Sequence, residues 1–418
     1  MKIPFFKIIA VIFCFCFGKA NNAIAQQWGT PQSFGGVNPL VTVNLNDVHF
    51  PSDSIGYIVG DNGTILATTD GGLHWVSQIS GTTSALKAVC FTNNTSGFAC
   101  GANGTILKTS DGGTTWQSYP TGLSITLFTI YNNGSFGMTG GNDGTVLKTI
   151  DSGSSWSTVA TSFTATTVTS ISFPISSNTN HLWVGTANQT VGYTLNGGTS
   201  WIMAGGPPGP SAAIKSIHAR SSNDVFRVVG TNVERGSSPS GMWNVEYLGN
   251  SNALNDIHFA NQTSVYGHAV GALGTIIKTT NGGSSWNLET SNTTQFLRSV
   301  FMLSGVEGFA VGNNGTILLY RAATTTSIED FNLRDSMSKA YPNPTNSQIT
   351  IPYSFSGNET VGKITIYDIS GKLIKEFKVD NTFDKLIIET NDFSAGTYYY
   401  NLTTKMGVSD TKKIIVIK

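Results

Sequence analysis

A short string built on Gly-x-Asn-Gly-Thr returns along this chain at near-constant intervals, and no other feature constrains the fold as tightly. Gly60-Asp-Asn-Gly-Thr-Ile65 recurs as Gly101 to Ile106, Gly141 to Val146, Gly271 to Ile276 and Gly312 to Ile317, with weaker copies opening at Gly185 and Gly230. Each of the first six copies is followed by a tryptophan, Trp75, Trp116, Trp156, Trp201, Trp243 or Trp286, spaced 40 to 45 residues apart. Within a unit the order is constant: an apolar-alternating run, a polar turn, a second run, a tight Gly turn, a third run, a Gly-Gly turn, and a fourth run opening at the Trp. Four short strands at this period are the signature of a β-propeller blade.

The count predicts how the array ends. The seventh unit supplies three runs, near Leu297 to Met302, Gly308 to Gly312 and Thr316 to Arg321, and stops without its Trp. Trp28-Gly-Thr-Pro, ahead of the first unit, provides the missing piece. The expectation is an all-β, seven-bladed β-propeller over residues 26–325 whose last blade is completed by the N-terminal strand, leaving no open edge. An open β-solenoid would not need Trp28 to match the repeat. Only Trp183 falls outside the pattern.

Composition agrees with a chain of buried strands and tight turns. Only 11% of the 418 residues are charged, 24 basic and 24 acidic, against about a quarter in an ordinary soluble protein. From 26 to 332 there are 10 basic and 15 acidic residues, and from 333 to 418 there are 11 and 9, so two domains meet at a polar linker, 326–338. A mildly acidic ring offers no footprint for nucleic acid or for polyanions. The first 25 residues read as a signal peptide, with Lys2 and Lys7, an apolar core Ile8 to Phe17, and Ala23-Ile24-Ala25 before Gln26. Cleavage between Ala25 and Gln26 removes Cys14 and Cys16, and the mature chain then holds no stretch of the roughly 18 apolar residues a spanning helix requires.

Thr68-x-Asp70-x-Gly72-x-x-Trp75 returns around Asp111 and Asp151, and with Asn in the acidic place around Asn196 and Asn281. This motif resembles the Asp-box (BNR repeat) of sialidase-type propellers, and whole units resemble the repeats of the photosystem II assembly factor family. The physics of the box is a turn, in which Asp or Asn accepts backbone N–H bonds, Gly takes positive φ and Trp buries. Asn replacing Asp twice argues against catalysis or metal binding there. Resemblance to sialidases implies an arginine triad, a Tyr–Glu pair and an acid, but the five ring arginines show no such context, and no catalytic residue, metal or cofactor is assigned. The assembly-factor resemblance implies an arginine-rich patch, which a net-negative ring lacks.

Three further sets of side chains stand out. His49, His218 and His258 share one place in the first strand of units 1, 5 and 6, and are expected to pack between blades rather than hold a metal. Cys90 and Cys100 flank a hairpin turn in unit 2 and are expected to form a local disulfide if directly opposite. Unit 5 departs from the consensus and carries Arg220, Arg227 and Arg235 with Trp243, a candidate ligand-contacting face.

The last 80 residues alternate as a small β-sandwich. Tyr341-Pro342-Asn343-Pro344, Ile364 to Ile374 with Gly371 and Lys372, and Phe393-Ser-Ala-Gly396-Thr-Tyr398 leading to Lys412 to Lys418 are similar to the type A C-terminal sorting domain of the type IX secretion system. That resemblance covers 339–418 and implies a Bacteroidota-type host, the type IX machinery as partner, and a destination at the cell surface or beyond. The expected function is non-catalytic binding of a surface protein or glycan. The alternatives are a secreted sialidase-like glycan hydrolase and an envelope assembly scaffold. Two convergent carboxylates in the central cleft would favour an enzyme, and a polar channel lacking them a binder.

Overall fold

The computed structural model describes residues 26–34, 41–204 apart from 120, 164 and 175–180, 212–322 apart from 237–241, 250 and 262, 336–337, and 340–418 apart from 355–360, 370, 384, 405–406 and 409–410. Residues 1–25, expected to be a signal peptide, and most of the expected linker over 326–338 lie outside these residues. Among the described residues the chain is all-β, and no helix is long and apolar enough to cross a membrane.

Residues 26–322 form seven four-stranded antiparallel sheets, each one repeat unit. In sheet 1 the strands run Leu45–His49, Gly56–Gly60, Ile65–Thr68 and Val76–Gln78. The second strand of each unit is a continuous buried run such as Gly56-Tyr-Ile-Val-Gly60, because neighbouring sheets cover both of its faces. Most of the fourth strands are short and exposed, which blunts the edge they present. Charge is excluded from most of this volume, so the low charged content belongs to the packing.

The Gly-x-Asn-Gly-Thr string is a one-turn 3₁₀ element between the second and third strands, with Asn62 at φ 58° and Gly63 at φ +69°. Its first glycine lets the turn approach the preceding loop. A Cβ on Gly101 would lie 2.1 Å from the Ala85 carbonyl oxygen. The last glycine donates its N–H onward to the loop entering the next unit, as Gly104 does to Ile125 O at 2.6 Å and Gly274 to Gln295 O at 2.8 Å. Gly315 of sheet 7 makes this same bond to Val43 O, ahead of sheet 1, at 2.7 Å.

Sheet 7 takes its outer strand from the N-terminus: Gln26–Gly29 pairs antiparallel with Ile317–Ala322, placing Trp28 opposite Tyr320. Trp28 is 1% exposed, lies tilted against Tyr320 and donates its indole N–H to Glu289 of sheet 6 at 2.8 Å. Sheets 7 and 1 pack as consecutive sheets do, with Phe50 stacked on Phe309 at 4.0 Å and Arg321 donating to the Gly71 carbonyl.

The tail packs a sheet of Gln348–Ser354 and Lys385–Glu389 against one built on Val361–Asp368, Leu373–Asp380, Gly396–Thr404 and Lys412–Val416. Ile351, Ile364, Ile366, Tyr400, Leu402 and Ile414 fill its core.

Candidate functional site

The first strands of the seven sheets surround one channel of about 960 Å³. Each of these strands carries a β-bulge at the same place, between Leu45 and Asp47 in sheet 1 and at the matching residues of every other sheet. A bulge inserts one unpaired residue and re-aims its side chain. Here the inserted residues are Asn46, Lys87, Phe128, Thr169, Lys215, Asn255 and Arg298, and all of them line the channel. The repeat therefore varies chemically where it meets the channel while keeping its backbone constant.

The next residue in each strand is Asp47, Ala88, Thr129, Ser170, Ser216, Asp256 or Ser299. Several of them tie their sheet to the following one by accepting a main-chain N–H: Val89 N to Asp47 Oδ2 at 2.9 Å, Ile171 N to Thr129 Oγ1 at 3.1 Å, Ile217 N to Ser170 Oγ at 3.1 Å, and Val300 N to Asp256 Oδ2 at 2.8 Å. Ser299 Oγ donates to Asp47 Oδ1 at 2.7 Å, so sheets 6, 7 and 1 present Asp256, Ser299 and Asp47 side by side.

Burial, and then the charge of Asp256 against the relief its hydrogen bonds bring, pushes the Asp47 carboxyl up to about 7. Burial likewise raises Asp256. Two residues further on, His218 lies 4.9 Å from His258, His258 stacks on Phe301 at 4.5 Å, and Phe301 meets His49 at 5.0 Å. Burial lowers His49 and His218 to about 4 and His258 further, so this arc is neutral at physiological pH. His258 Nδ1 accepts the Met302 N–H, which leaves the ring's own proton on Nε2. The three histidines, expected to pack between blades, line the channel instead, in an arc that includes Phe301. Among the described residues no three His, Cys, Asp or Glu side chains come together as metal ligands.

The carboxylate pair is the channel feature that sequence reasoning missed. Its signal was present: Leu45-Asn-Asp-Val-His-Phe50 and Leu254-Asn-Asp-Ile-His-Phe259 are the same hexapeptide but for one methylene, on the two units flanking unit 7.

The unit 5 arginines require a correction. Arg227 is 1% exposed, donates from Nε to Glu234 at 2.8 Å and lies 4.2 Å from the Trp243 ring centre. Arg220 and Arg235 both pair with Asp224, at 3.0 and 2.7 Å, over the rings of Phe259 and Phe226. None of the four lines the channel. They hold sheet 5 together because each cation faces an acid across or beside its own hairpin.

The Cys90–Cys100 disulfide is also corrected. Cys90 lies opposite Phe98 and Cys100 opposite Ala88, a diagonal rather than a direct pair, and both are free buried thiols. Burial pushes them up to about 11 and about 12.

The Thr-x-Asp-x-Gly turns are uniform in geometry. Asp70 Oδ1 accepts from Thr68 Oγ1 at 2.9 Å and from His74 N at 3.0 Å, and Asp111 and Asp151 repeat the pattern. Asn196 and Asn281 keep the Oδ1 bonds and use Nδ2 to donate to Ser200 and Ser285 at 2.8 Å. Asn therefore substitutes without loss.

In the tail the motif residues clasp the last strand. Asn343 donates to Lys413 O and accepts the Ile415 N–H, each at 2.8 Å, while Tyr341 and the two prolines beside it lie at the surface. Gly371 takes φ +82° in the turn where Lys372 N donates to Asp368. Gly396 lies opposite Val416, and Tyr398 donates to Ser394 O at 2.9 Å.

Residues 339–418 match the family described as secretion system C-terminal sorting domain, and residues 77–165 match that of photosynthesis system II assembly factor YCF48. No curated protein matches the chain. Among solved structures, YCF48 bound to D1 peptide is 19% identical with a TM-score of 0.57, covering 71% of this chain and 95% of that one. YCF48 from Cyanidioschyzon merolae is 16% identical, with a TM-score of 0.58 and coverage of 71% and 99%. The WD40 β-propeller domain of Doa1 is 14% identical, with a TM-score of 0.57 and coverage of 72% and 98%. At these identities the structures share the propeller fold.

Proposed function

We propose that this YCF48-like propeller, carried by a type IX sorting tail, is a binding protein of the cell surface or its surroundings that takes its ligand in the central channel. The match of residues 339–418 to the sorting domain supports export across the outer membrane. In this reading a signal peptide of residues 1–25 starts the route, and the ring of residues 26–325 is a seven-bladed propeller closed by its N-terminal strand. Trp28 opposite Tyr320 and the Gly315 to Val43 bond support that closure.

The observation that carries the binding reading is the ring of seven bulge residues. One backbone device, repeated in every sheet, delivers seven side chains of five kinds to one cavity. The ligand is a protein segment or a glycan. YCF48, which shares this fold, is known in a structure bound to D1 peptide, and this supports a polypeptide ligand. Binding of the secreted chain to glycan and peptide arrays tests this reading, with the Lys215→Trp variant, which narrows the channel at an exposed rim position, as the comparison. Separately, removal of 339–418 should leave a folded ring inside the cell envelope, and normal secretion of that truncated chain would refute the sorting role.

Asp47 and Asp256 favour a second reading, a glycan hydrolase, because hydrolases of this kind need two placed carboxylates. Against it, Ser and Thr at the equivalent positions of sheets 3 and 4 make the same inter-sheet bond, so the acids have a structural task that chemistry need not explain. Hydrolysis of an aryl glycoside panel that disappears in Asp256→Asn would establish the enzyme.

A further inference from the structure

The ring's cations are compensated almost everywhere except at the channel mouth. Of its ten basic residues, Lys87, Arg220, Arg227, Arg235, Lys278 and Arg321 each have an acid within 4 Å, and Lys108 and Lys148 lie over aromatic rings. Lys215 and Arg298 have no acidic partner among the described residues, and both line the channel. They occupy equivalent bulge positions on sheets 5 and 7, with Asn255 of sheet 6 between them.

Arg298 is set as a fork. Its Nε donates to Asn313 Oδ1 at 2.7 Å, and its guanidinium lies 5.6 Å from the Phe296 ring centre, while its main-chain carbonyl receives the Asn255 side-chain amide. With Nε taken, Nη1 and Nη2 form the open edge, and neither has an acceptor among the described residues. Two parallel N–H groups in a plane held by other contacts match the two oxygens of a carboxylate. The acids of the next row do not cancel this charge. Asp256 accepts the Val300 and Ile257 N–H groups and the Ser216 hydroxyl, and Asp47 accepts the Val89 N–H and the Ser299 hydroxyl. Burial favours the uncharged form of both. Further down, the lining holds Tyr131, Ser172 and the neutral imidazoles with no other cation, and Lys87 at the mouth is already held by Asp61 at 3.0 Å. The channel thus offers one anion site above a neutral, hydrogen-bonding wall.

The main chain of that wall selects the kind of ligand. An extended peptide adds to a sheet edge through free N–H and C=O groups. On sheets 5 and 7 the inward N–H groups are already taken: Ile217 N donates to Ser170 Oγ at 3.1 Å, Ala219 N to Ser172 Oγ at 2.8 Å, Val300 N to Asp256 Oδ2 at 2.8 Å and Met302 N to His258 Nδ1 at 3.0 Å. The donor half of the ladder is closed beside Lys215 and Arg298, whereas sugar hydroxyls bond to side chains and need no strand edge. The net-negative ring around the mouth disfavours a densely anionic chain and leaves a single acid as the best fit.

We propose that the channel mouth binds the carboxylate of a uronic acid residue in an otherwise neutral glycan, on the Nη1–Nη2 edge of Arg298 with Asn255 and Lys215 beside it. This rests on the reading of the channel as the ligand site. Methyl glucuronoside, its methyl ester and methyl glucoside, titrated into the secreted chain and followed by saturation-transfer NMR, are the probes, and Gly-Glu-Gly carries the same carboxylate on a peptide. The expected result is saturable binding of the glucuronoside, with the ester, the glucoside and Gly-Glu-Gly about tenfold weaker or more. Arg298→Gln should weaken the glucuronoside about tenfold or more, and added salt should weaken it too. Absence of glucuronoside binding, equal binding of the ester or the glucoside, unchanged affinity in Arg298→Gln, or Gly-Glu-Gly binding as well or better would overturn the assignment. The four probes on the unaltered chain decide the matter even where Arg298→Gln fails to fold. If an array ligand is lost on Lys215→Trp while the glucuronoside does not bind, the uronate assignment alone fails. If no ligand responds to Lys215→Trp, the channel reading itself falls.

Discussion

Replacing Trp28 tests whether the N-terminal strand is part of the ring's structure or an appendage to it. The side chain is 1% exposed, contacts Tyr320 and His268 edge-on or tilted at 5.0 and 5.4 Å, and donates to Glu289. Truncating a buried Trp to Ala costs about 3–5 kcal/mol. The stranded Glu289 adds little, because His268 and Lys278 remain beside it and its side chain is 21% exposed. Trp28→Ala should therefore destabilise the ring by about 4 kcal/mol. Trp28→Phe keeps most of the packing and loses the hydrogen bond to a charged acceptor, a loss of about 1.5–3 kcal/mol. At roughly 2–4 °C per kcal/mol for large domains, the melting point should fall by about 8 °C or more in the first variant and by roughly half that in the second. Urea unfolding followed by far-ultraviolet circular dichroism, which does not depend on the altered indole, measures both. A Trp28→Ala ring as stable as the parent would refute the account, since the closing strand would then contribute nothing that the other sheets need.

Further consequences follow from the interior. The buried histidines stay neutral in the fold while the unfolded chain protonates near 6.5, so their contribution is lost as pH falls from 6.5 toward 4. Asp47 works in the opposite sense: with a folded value of about 7 against 3.8, its contribution is full below 3.8 and is lost as pH rises through 7. Asp47→Asn should accordingly lose stability more steeply than the parent between pH 7 and pH 4, and parallel denaturation curves would contradict this. Cys90 and Cys100 should resist a thiol reagent in the native chain and both react in denaturant, whereas a disulfide in the unreduced mass would overturn the assignment. Arg227→Met leaves Glu234 buried without its partner and should cost about 3–5 kcal/mol with no change in ligand affinity, the affinity being the readout that decides against a binding role. Leu273 stands 67% exposed at φ 53° where three other units carry Asn, so Leu273→Asn should stabilise by about 0.5–1 kcal/mol in thermal melts.

Repeat spacing made most of the propeller legible, because a blade cannot bury its faces alone and its Gly and Trp positions are therefore pinned. The place of Trp28 in sheet 7 followed from the same logic. What escaped was lateral. Arg227 and Glu234 flank the two-residue Gly230-Thr231 turn at matched distances, and counting outward pairs them directly, so Arg227 could have been recognised as internal. The cysteine register could not be read so simply, since the bulge near Leu86 and the polar turn of Thr92 to Ser96 leave the offset open. The channel residues were hidden for another reason. Side chains of five kinds at seven bulges look like drift in a sequence, and only the closing of the first strands around one cavity shows that they share a surface.

The most direct test of the central claim compares two bulky substitutions on the exported chain. Lys215→Trp narrows the channel at an exposed rim residue, and Val76→Trp adds the same bulk to the outer strand of sheet 1, where Val76 is 68% exposed. Affinity for a ligand identified on the arrays should fall about tenfold or more in the first variant and stay at the parent value in the second, with both melting as the parent does. Unchanged affinity in Lys215→Trp, or a loss confined to Val76→Trp, would place the binding surface outside the channel and contradict the account.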